Sequence, residues 1–293
     1  MVELAPKGSL WDSTILSRVN SATTFYAFNL RVSAEICVPI NLKIRVIPIK
    51  DREEIKKVKS SSRILVELLG LLEKKILPGI TTLELDRIAF DFIKRKGAKS
   101  AFKGYRNYPA TLCTSVNQVV VHGIPSSYRL KEGDVVGVDV GVCLDHYYAD
   151  VTRTFAVGEI SPQVAKFLEV AKESLKVGIS RAVVENHLSD ISNAIENYVK
   201  KNGYSVVHEF VGHGVGRELH EEPEIPNFGP PGEGPLLKAG MIFAIEPMVN
   251  IGGSGVRILE DGWTTVTKDG KLSAHFEDTV LISENGPEIL TCC

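Results

Sequence analysis

Apolar residues recur three or four positions apart in two consecutive segments near the start of the chain. Asp51 and Glu54 form a capping-box pattern, so a first helix is predicted to begin there and to end before Pro78-Gly79. A second helix is predicted from Thr82, and Gly97 lies where helices often end in a left-handed glycine. These segments therefore predict a helical pair.

The same arrangement returns later in the chain. Ser161-Pro162 is typical of a helix start, and a fourth helix is predicted to end at Gly203. The second and fourth helices match at a constant offset of 106 residues, with Leu85, Ala89, Phe92, Ile93, Lys94 and Gly97 corresponding to Ile191, Ile195, Tyr198, Val199, Lys200 and Gly203. This match predicts a unit of two helices and a sheet that occurs twice; chance helical periodicity is the alternative.

Alternating apolar residues predict strands after each helical pair. Residues 135–155 form a predicted hairpin with its turn near Leu144-Asp145, and 242–249 form another strand region. Residues 280–282 are the last predicted strand, whereas the proline and glycine residues within 226–235 predict a loop. The chain after residue 46 is therefore predicted to form one domain, 47–291, with two related halves.

The composition excludes several classes of protein. The 293 residues are 44% hydrophobic and 24% charged, which argues against wholesale disorder. A net charge of −2 argues against a strongly basic nucleic-acid-binding chain, and no apolar run reaches the roughly 18 residues of a transmembrane helix. Five cysteines without a CxxC pair argue against a disulfide scaffold and favour a reducing, cytoplasmic location.

Residues 1–46 differ from the rest of the chain in composition. Arginine and lysine side chains are scattered among Ser, Thr and Asn with few acids, and no small-residue cleavage site closely follows the longest apolar stretch. A secretory signal is therefore not expected, although an acid-poor segment rich in Ser and Arg is typical of a transit peptide. We expect a poorly ordered extension that adds nothing to the fold, with the transit peptide as the alternative.

Two carboxylates interrupt the apolar hairpin. A turn near Leu144-Asp145 would place Asp139 opposite Asp150, and directly opposite residues point to the same face of a sheet. Two carboxylates at such close range cannot both stay ionised without a cation, so a bound metal is the simplest interpretation. The alternative is that one aspartate is a turn or edge residue with its carboxylate in water.

Three more residues extend this candidate metal site. His213 lies between Gly212 and Gly214, and Glu246 and Glu277 occur in otherwise apolar strand sequence. With the two aspartates they supply four carboxylates and one imidazole, a set that suits two ions such as Mn(II), Fe(II) or Co(II), with zinc as an alternative. Two such ions could hold and activate a hydroxide at neutral pH.

Other interpretations of the motifs have less support. The glycines around His213 could belong to a nucleotide-binding loop, but no suitably placed strand and helix flank them. No GxSxG motif indicates a serine nucleophile, and Cys113 has no local nucleophile signature. The remaining histidines are expected to be surface or structural residues, namely His146, His187, His208 and His275.

Several separated motifs, in the right order, resemble those of the type I methionine aminopeptidases, which belong to the pita-bread metallopeptidase family. The resemblance extends from about residue 50 to 290, and its motifs occupy 102–109, 115–125, 138–141, 150–155, 212–217, 219–223, 245–247, 261–264 and Glu277. It implies an α+β pita-bread (creatinase/aminopeptidase) fold with pseudo-two-fold repeated halves and a curved antiparallel sheet covered by helices. It also implies removal of the initiator methionine from nascent proteins whose second residue is small.

The resemblance implies a role for each candidate metal ligand. Asp139 would bind one metal ion through both carboxylate oxygens. Asp150 and Glu277 would bridge the two divalent ions, and His213 and Glu246 would complete the ligands of the other ion. Glu246 would also lie close to the bridging hydroxide as a proton acceptor.

The resemblance also implies a substrate site. His122 would interact with the scissile amide nitrogen and assist the departing amine, while His220 would stabilise the carbonyl oxygen as it becomes an oxyanion. The pocket for the methionine side chain would be lined by Phe102, Tyr105, Tyr108, Cys113, Leu219 and Trp263. Such an apolar wall suits a thioether, although ordinary core packing is the alternative for the large aromatics.

Two residues depart from the family pattern. Asp278 stands where a histidine is usual, and Leu219 replaces a commonly aromatic residue. The Cys/His-rich zinc region of longer eukaryotic forms is missing, which indicates the short bacterial or organellar kind. The expected partners are N-termini of nascent polypeptides, with a transient ribosome contact compatible with them, no membrane, no nucleic-acid substrate, and a monomeric state.

Two alternative functions follow from the same fold. One is a metallopeptidase that cleaves Xaa-Pro bonds, but such enzymes usually carry a large N-terminal domain, for which about 50 residues are too few. The other is a binding protein without catalysis, which would be expected to have lost ligands, whereas all five are present here.

Overall fold

The computed structural model describes residues 46–292. The predicted extension, 1–46, lies almost entirely outside the described residues. Within the described part, the helices are α1 (Arg52–Glu73), α2 (Thr82–Arg95), α3 (Pro162–Ile179) and α4 (Leu188–Lys201), with a short 3-10 helix at Tyr105–Asn107. The strands are β1 (Lys99–Ser100), β2 (Cys113–Val116), β3 (Val119–Val121), β4 (Val135–Leu144), β5 (Tyr147–Ala156), β6 (Ser205–Val206), β7 (Gly212–Gly214), β8 (Glu221–Ile225), β9 (Ile242–Ile245), β10 (Met248–Asn250), β11 (Val256–Ile258), β12 (Thr265–Thr267), β13 (Ser273–His275), β14 (Glu277–Ser283) and β15 (Gly286–Ile289).

The first three helices begin where the sequence predicts. The Asp51 side chain accepts hydrogen bonds from the backbone N–H groups of Glu53 and Glu54, both at 2.9 Å, and so caps α1. Ser161 caps α3, and Pro162 occupies its first position. The capping-box and proline predictions are therefore confirmed, and the predicted loop at 226–235 contains no strand or helix.

The repeat of two halves is visible in the structure. Helices α2 and α4 begin and end at the same offset of 106 residues that their sequences show, and so do the short strands β1 and β6 that follow them. Gly97 and Gly203 follow the two helices with φ values of 73° and 81°, a left-handed conformation that favours glycine. The equivalence therefore holds for the backbone of this unit.

A nine-stranded antiparallel sheet forms the centre of the domain. Its main strand order is β1-β4-β5-β14-β9-β7-β8, with β2 paired to β4 and β15 paired to β14. The predicted strand at 280–282 is part of β14, but it is not the last strand, because β15 follows it in a tight hairpin. Two three-stranded sheets, β13-β10-β6 and β11-β12-β3, complete the described strands.

The hairpin of β4 and β5 differs from its predicted register. Leu144 pairs with Tyr147, so the turn residues are Asp145 and His146, and Asp139 lies opposite Thr152 instead of Asp150. Both turn residues have positive φ, 49° and 65°, which is the two-residue turn that matches strand twist. The pairing is displaced by two residues, so the two aspartates keep the same face but lie diagonally.

Each half has its own apolar core. One core combines α1 and α2 with β4 and β5, and its fully buried residues include Leu65, Leu68 and Val140. The other combines α3 and α4 with β9 and β14 and includes Phe167 and Phe243. Both helical pairs thus pack on the sheet, which leaves the opposite sheet face to carry polar residues.

The contact between α3 and α4 supplies a test of this packing. A Cβ atom on Gly178 would lie 2.6 Å from Cγ1 of the buried Ile195, whereas a Cβ on Gly70 in α1 would meet nothing within 4 Å. We expect Gly178→Ala to lower the free energy of unfolding by about 1–3 kcal/mol through overpacking. Gly70→Ala is the matched control and should raise it by up to about 1 kcal/mol through helix propensity. Urea denaturation measures both, and a stabilising Gly178→Ala would contradict the described packing.

Candidate active site

Five adjacent strands each contribute one candidate metal ligand. Asp139 belongs to β4, Asp150 to β5, Glu277 to β14 and His213 to β7, and Glu246 directly follows β9. Because these strands are neighbours in the order β4-β5-β14-β9-β7, residues that are 138 positions apart in sequence meet on the sheet.

The register on β4, β5 and β14 places their carboxylates on one face. Thr152 of β5 pairs with Asp139 on the neighbouring strand β4 and with Glu277 on the other neighbouring strand, β14. Asp150 is two residues from Thr152 on the same strand, so its side chain has the same direction. The Thr152 hydroxyl donates to Glu277 Oε2 at 2.8 Å and fixes that carboxylate between the strands.

The other two ligands reach the same face from β7 and β9. Ala244 pairs with Thr279 on one side and with His213 on the other. Glu246 is two residues beyond Ala244, and Glu277 is two residues before Thr279, so side-chain alternation gives all of them one direction. His213 Nε2 lies 3.5 Å from Glu246 Oε1.

The geometry of the cluster suits a metal ion. One ligand atom each from Asp150, His213 and Glu277 lies within 4.8 Å of the others. The Oδ1 atom of Asp139 is buried and has no hydrogen-bond partner among residues 46–292. A buried carboxylate oxygen that lacks a donor is costly unless a cation binds it, so the residues present fit the ion that they would hold.

Burial makes these carboxyl groups hard to ionise without a cation. It raises the pKa of Asp150 to about 7, and burial together with the neighbouring carboxylates raises the pKa values of Asp139, Glu246 and Glu277 well above their ordinary values. A divalent ion would reverse this effect, because its positive charge favours the ionised carboxylates.

His213 is already in the form that a metal requires. Burial lowers its pKa to about 4, so the ring is neutral at pH 7. Its Nδ1 lies 2.9 Å from the backbone carbonyl of Gly214, which can only accept, so Nδ1 carries the proton. The Nε2 lone pair therefore remains for a ligand bond.

Close packing of neighbouring strands accounts for the glycines beside His213. A Cβ atom on Gly212 would lie 2.4 Å from the carbonyl oxygen of Ala244, and one on Gly214 would lie 2.2 Å from that of Glu222. The backbones of β7, β8 and β9 approach so closely here that only glycine fits.

One histidine beside the cluster has a closer relation to it than the sequence indicates. His275, expected to be a surface or structural residue, is 4% exposed, and its Nε2 lies 3.4 Å from Glu246 Oε2. Burial lowers its pKa to about 3, so the ring is neutral. Its position two residues before Glu277 in alternating sequence is the signal that could have identified it.

A cavity of about 150 Å³ is lined by the carboxylates and by a cluster of apolar side chains. A single water needs roughly 10–15 Å³ on this scale, so the cavity can hold a side chain. The thirteen predicted site residues all line it, together with Arg106, which the sequence did not single out: Phe102, Tyr105, Tyr108, Cys113, His122, Asp139, Asp150, His213, Leu219, His220, Glu246, Trp263 and Glu277.

The aromatic residues present their rings to this cavity. The Tyr108 hydroxyl is shared between the carbonyls of Leu112 and Gly123, at 3.0 and 3.1 Å, so its hydrogen-bonding capacity is used on backbone atoms. Trp263 packs edge-on against Tyr108 with ring centroids 5.0 Å apart. The pocket wall is therefore apolar on the side away from the carboxylates.

The two remaining candidate histidines lie between the apolar wall and the carboxylates. His122 has a φ of 58° and packs edge-on against Phe210, and burial lowers its pKa to about 4. His220 packs against His213 with ring centroids 4.2 Å apart, and its Nδ1 lies 2.8 Å from the hydroxyl of Tyr105.

Asp278, the departure from the family pattern, has a separate environment. Alternation turns it to the sheet face opposite Glu277. There it pairs with Arg153 at 2.6 Å and accepts a hydrogen bond from Thr291 at 2.7 Å. The Arg153 guanidinium also donates to the backbone carbonyls of Glu277 and Thr291, so this ion pair ties β5 and β14 to the end of the described chain.

No helix among residues 46–292 is long and apolar enough to cross a membrane.

Comparisons with known proteins agree with this architecture. The family model described as metallopeptidase family M24 matches residues 56–284. A methionine aminopeptidase of Clostridium perfringens is 56% identical over 246 residues, which cover 84% of this chain and 99% of the relative. Methionine aminopeptidase 1 of Bacillus subtilis is 50% identical over 242 residues, with coverage of 83% and 98%.

Solved structures show the same fold. The methionine aminopeptidase of Thermotoga maritima aligns with a TM-score of 0.83 at 44% identity and covers 84% of this chain and 99% of its own. The prolidase of Pyrococcus furiosus aligns with a TM-score of 0.69 at 26% identity, but the alignment covers 65% of that longer chain. The predicted α+β pita-bread fold is confirmed, and the protein belongs to metallopeptidase family M24, a family of metal-dependent hydrolases.

Proposed function

We propose that the protein is a methionine aminopeptidase that removes the initiator methionine from nascent polypeptides with a small second residue. The observation that carries this proposal is a cavity lined by an apolar wall and by five candidate metal ligands that converge on one sheet face. The identity of 50–56% to relatives of that name, over nearly their whole length, supports it. The longer prolidase resembles the chain less, with 26% sequence identity and a TM-score of 0.69.

Asp139, Asp150, His213, Glu246 and Glu277 would hold two divalent ions, with manganese, iron, cobalt and zinc as the metals compatible with these donors. Bound ions would supply Lewis acidity towards the substrate carbonyl and lower the pKa of water so that it can attack at neutral pH. The orphaned Oδ1 atom of Asp139 and the raised pKa values of the other carboxyls support this assignment.

Glu246 would accept the proton of the attacking water. It lies between His213 and His275, with its two oxygens 3.5 and 3.4 Å from their Nε2 atoms. Both histidines are neutral at pH 7, because burial lowers their pKa values. Neither ring therefore competes as an acid. With bound ions keeping Glu246 ionised, the proton would pass through this carboxylate to the amine that leaves.

Two histidines would act on the scissile amide. His122 would interact with the amide nitrogen and assist the departing amine, and its lowered pKa keeps the ring neutral and able to offer either a donor or a lone pair. His220 would donate to the carbonyl oxygen as negative charge develops there. If the Tyr105 hydroxyl donates to Nδ1, the proton of His220 resides on Nε2, as this role requires.

The methionine side chain would occupy the cavity of Phe102, Tyr105, Tyr108, Cys113, Leu219 and Trp263. A thioether packs well against aromatic edges, and the apolar wall offers no partner for a charged side chain. The buried Cys113 thiol stays protonated, because burial raises its pKa. We further propose that the enzyme works as a cytoplasmic monomer on nascent chains, where a transient ribosome contact would bring it to its substrate.

Peptide hydrolysis tests the proposal. The manganese-loaded protein should release methionine from Met-Ala-Ser and release it much more slowly from Met-Lys-Ser, because the proposed site for the second residue is small. It should release nothing from Leu-Pro-Ala. Asp150→Ala should lose activity, since one proposed bridging ligand is removed. Cleavage of Leu-Pro-Ala alone would shift the function to Xaa-Pro hydrolysis, and no cleavage by the metal-loaded protein would refute the enzymatic proposal.

Substitution of His220 tests its proposed role. We expect His220→Ala to reduce kcat about 100-fold, in line with the loss of one oxyanion donor, and to change KM by less than about threefold. His208→Ala is the matched control, because His208 is exposed and does not line the cavity. A large rise in KM with unchanged kcat would instead assign His220 to ground-state binding.

The raised carboxyl pKa values predict a pH dependence for the metal-free protein. When the pKa of a carboxyl group is higher in the folded than in the unfolded protein, folding favours its protonated form. The stability that Asp150 contributes in this way is fully present below about pH 4 and is lost as the pH rises through 7, its pKa in the folded protein. After chelation, Tm should fall by at least about 4 °C between pH 5 and pH 8, since each kcal/mol corresponds to roughly 2–4 °C.

Saturating Mn(II) should abolish this fall, because it compensates the ionised carboxylates. Asp150→Asn, which lacks one titrating group, should show a flatter Tm profile in the metal-free state. A metal-free protein whose Tm rises steadily from pH 5 to pH 8 would contradict the described burial of these groups.

A further inference from the structure

The 216–221 loop leads from β7 into Glu221, the first residue of β8, and carries two of the proposed site residues. Leu219 is 3% exposed and packs in the apolar cluster of the cavity. His220 contacts the Tyr105 hydroxyl and stacks on its ring, with centroids 5.2 Å apart. The conformation of this loop therefore decides where both side chains lie relative to the carboxylates.

The side chain of Glu221 holds the loop together through hydrogen bonds to its backbone. Its Oε1 atom accepts hydrogen bonds from the backbone N–H groups of Arg217, at 2.6 Å, and Glu218, at 3.1 Å. Its Oε2 atom forms an ion pair with the Lys50 ammonium. The side chains of Lys50 and Glu221 are only 1% and 6% exposed, so this carboxylate depends on these three donors and not on water.

Lys50 is itself held firmly under the loop. Its backbone N–H donates to the carbonyl of Gly240 at 2.8 Å, and it directly precedes Asp51, the cap of α1. A Cβ atom on Gly216 would lie 2.5 Å from Lys50 Cε, and the φ of Gly216 is 151°. A glycine at this position therefore lets the lysine stem pass close beneath the loop backbone.

A second ion pair on the same loop is of a different kind. Arg217 pairs with Glu54 of α1, which also accepts a hydrogen bond from Tyr147 at 2.9 Å. The Arg217 side chain is 55% exposed, so water can replace this contact at little cost. The buried pair of Lys50 and Glu221 is the one whose loss leaves a charge without a partner.

We propose that Lys50 is a positioning residue, which acts through Glu221 to hold the 216–221 loop with His220 directed at the substrate carbonyl. The kinetic part of this inference rests on the proposed function, whereas the link between Lys50 and the loop rests on the contacts alone. A merely structural ion pair would affect stability only. A positioning pair also affects kcat, because His220 acts on charge that develops in the transition state.

Hydrogen exchange and kinetics of Lys50→Met test the proposal. With Lys50 replaced, the backbone amides of Arg217 and Glu218 should exchange at least about tenfold faster in the manganese-loaded protein, because their acceptor loses its counter-charge. The kcat for Met-Ala-Ser should fall about 10- to 100-fold, as a small displacement of a catalytic group does, with KM changed less than about threefold.

Two control variants separate positioning from stability. Lys59→Met makes the same chemical change at the partly exposed pair with Glu288, away from the loop, and should leave both readouts unchanged. Gly178→Ala lowers stability in the other core and should also leave kcat unchanged at a temperature where it is folded. A loss of kcat in Gly178→Ala equal to that in Lys50→Met would overturn the proposal.

The double variant Lys50→Met/Glu221→Gln supplies a rescue. The glutamine carbonyl can still accept the two backbone N–H groups, and no buried charge remains unpaired. We expect it to recover at least about tenfold in kcat relative to Lys50→Met, a coupling that independent residues would not show. Unchanged amide exchange in Lys50→Met, or a kcat within twofold of wild type, would refute the positioning role. If the wild-type protein fails to cleave Met-Ala-Ser, the proposed function is refuted. Amide hydrogen exchange in Lys50→Met still tests whether Lys50 holds the 216–221 loop.

Discussion

The whole arrangement depends on the burial of four carboxylates on one face of a sheet. Burial removes water from these groups and raises the pKa values of Asp139, Asp150, Glu246 and Glu277. Repulsion from neighbouring carboxylates raises those of Asp139, Glu246 and Glu277 further. A fold that keeps these groups ionised at neutral pH needs cations between them. The neutral His213, whose proton is fixed on Nδ1 by a backbone carbonyl, completes a donor set that suits such cations.

Helices packed on the opposite face of the sheet hold the strands that carry these carboxylates. Helical pairs α1/α2 and α3/α4 pack on separate cores that meet along the sheet, so the five ligand strands are held from both halves. Ladder hydrogen bonds set the spacing, and residues such as Thr152 and the Arg153–Asp278 pair fix individual carboxylates and strands. The cavity then lies where loops from both halves meet the cluster of candidate ligands.

The sequence predicts most of this, because its strongest signals are local or alternate with a fixed period. Helix caps, the repeat offset and the shared face of Asp139 and Asp150 follow from such signals. The register of the β4–β5 hairpin does not, because Asp145-His146 lacks the glycine that usually marks its turn, but a displacement of two residues preserves the face. The position of His275 two residues before Glu277 is a sequence signal, but its contact with Glu246 comes from a different segment of the chain. The contact between Lys50 and Glu221 joins segments 171 residues apart, and no spacing reveals it.

Metal binding itself is the most direct test of the account. Chelated protein at pH 7 should be titrated with Mn(II) in a calorimeter in buffers of different ionisation enthalpy, with bound manganese counted by mass spectrometry. We expect two ions per chain and a net release of protons, since carboxyl groups with raised pKa values must ionise to become ligands. Glu277→Gln should lose at least one ion. Binding without proton release, or two ions retained with unchanged affinity in Glu277→Gln, would contradict a shared carboxylate site.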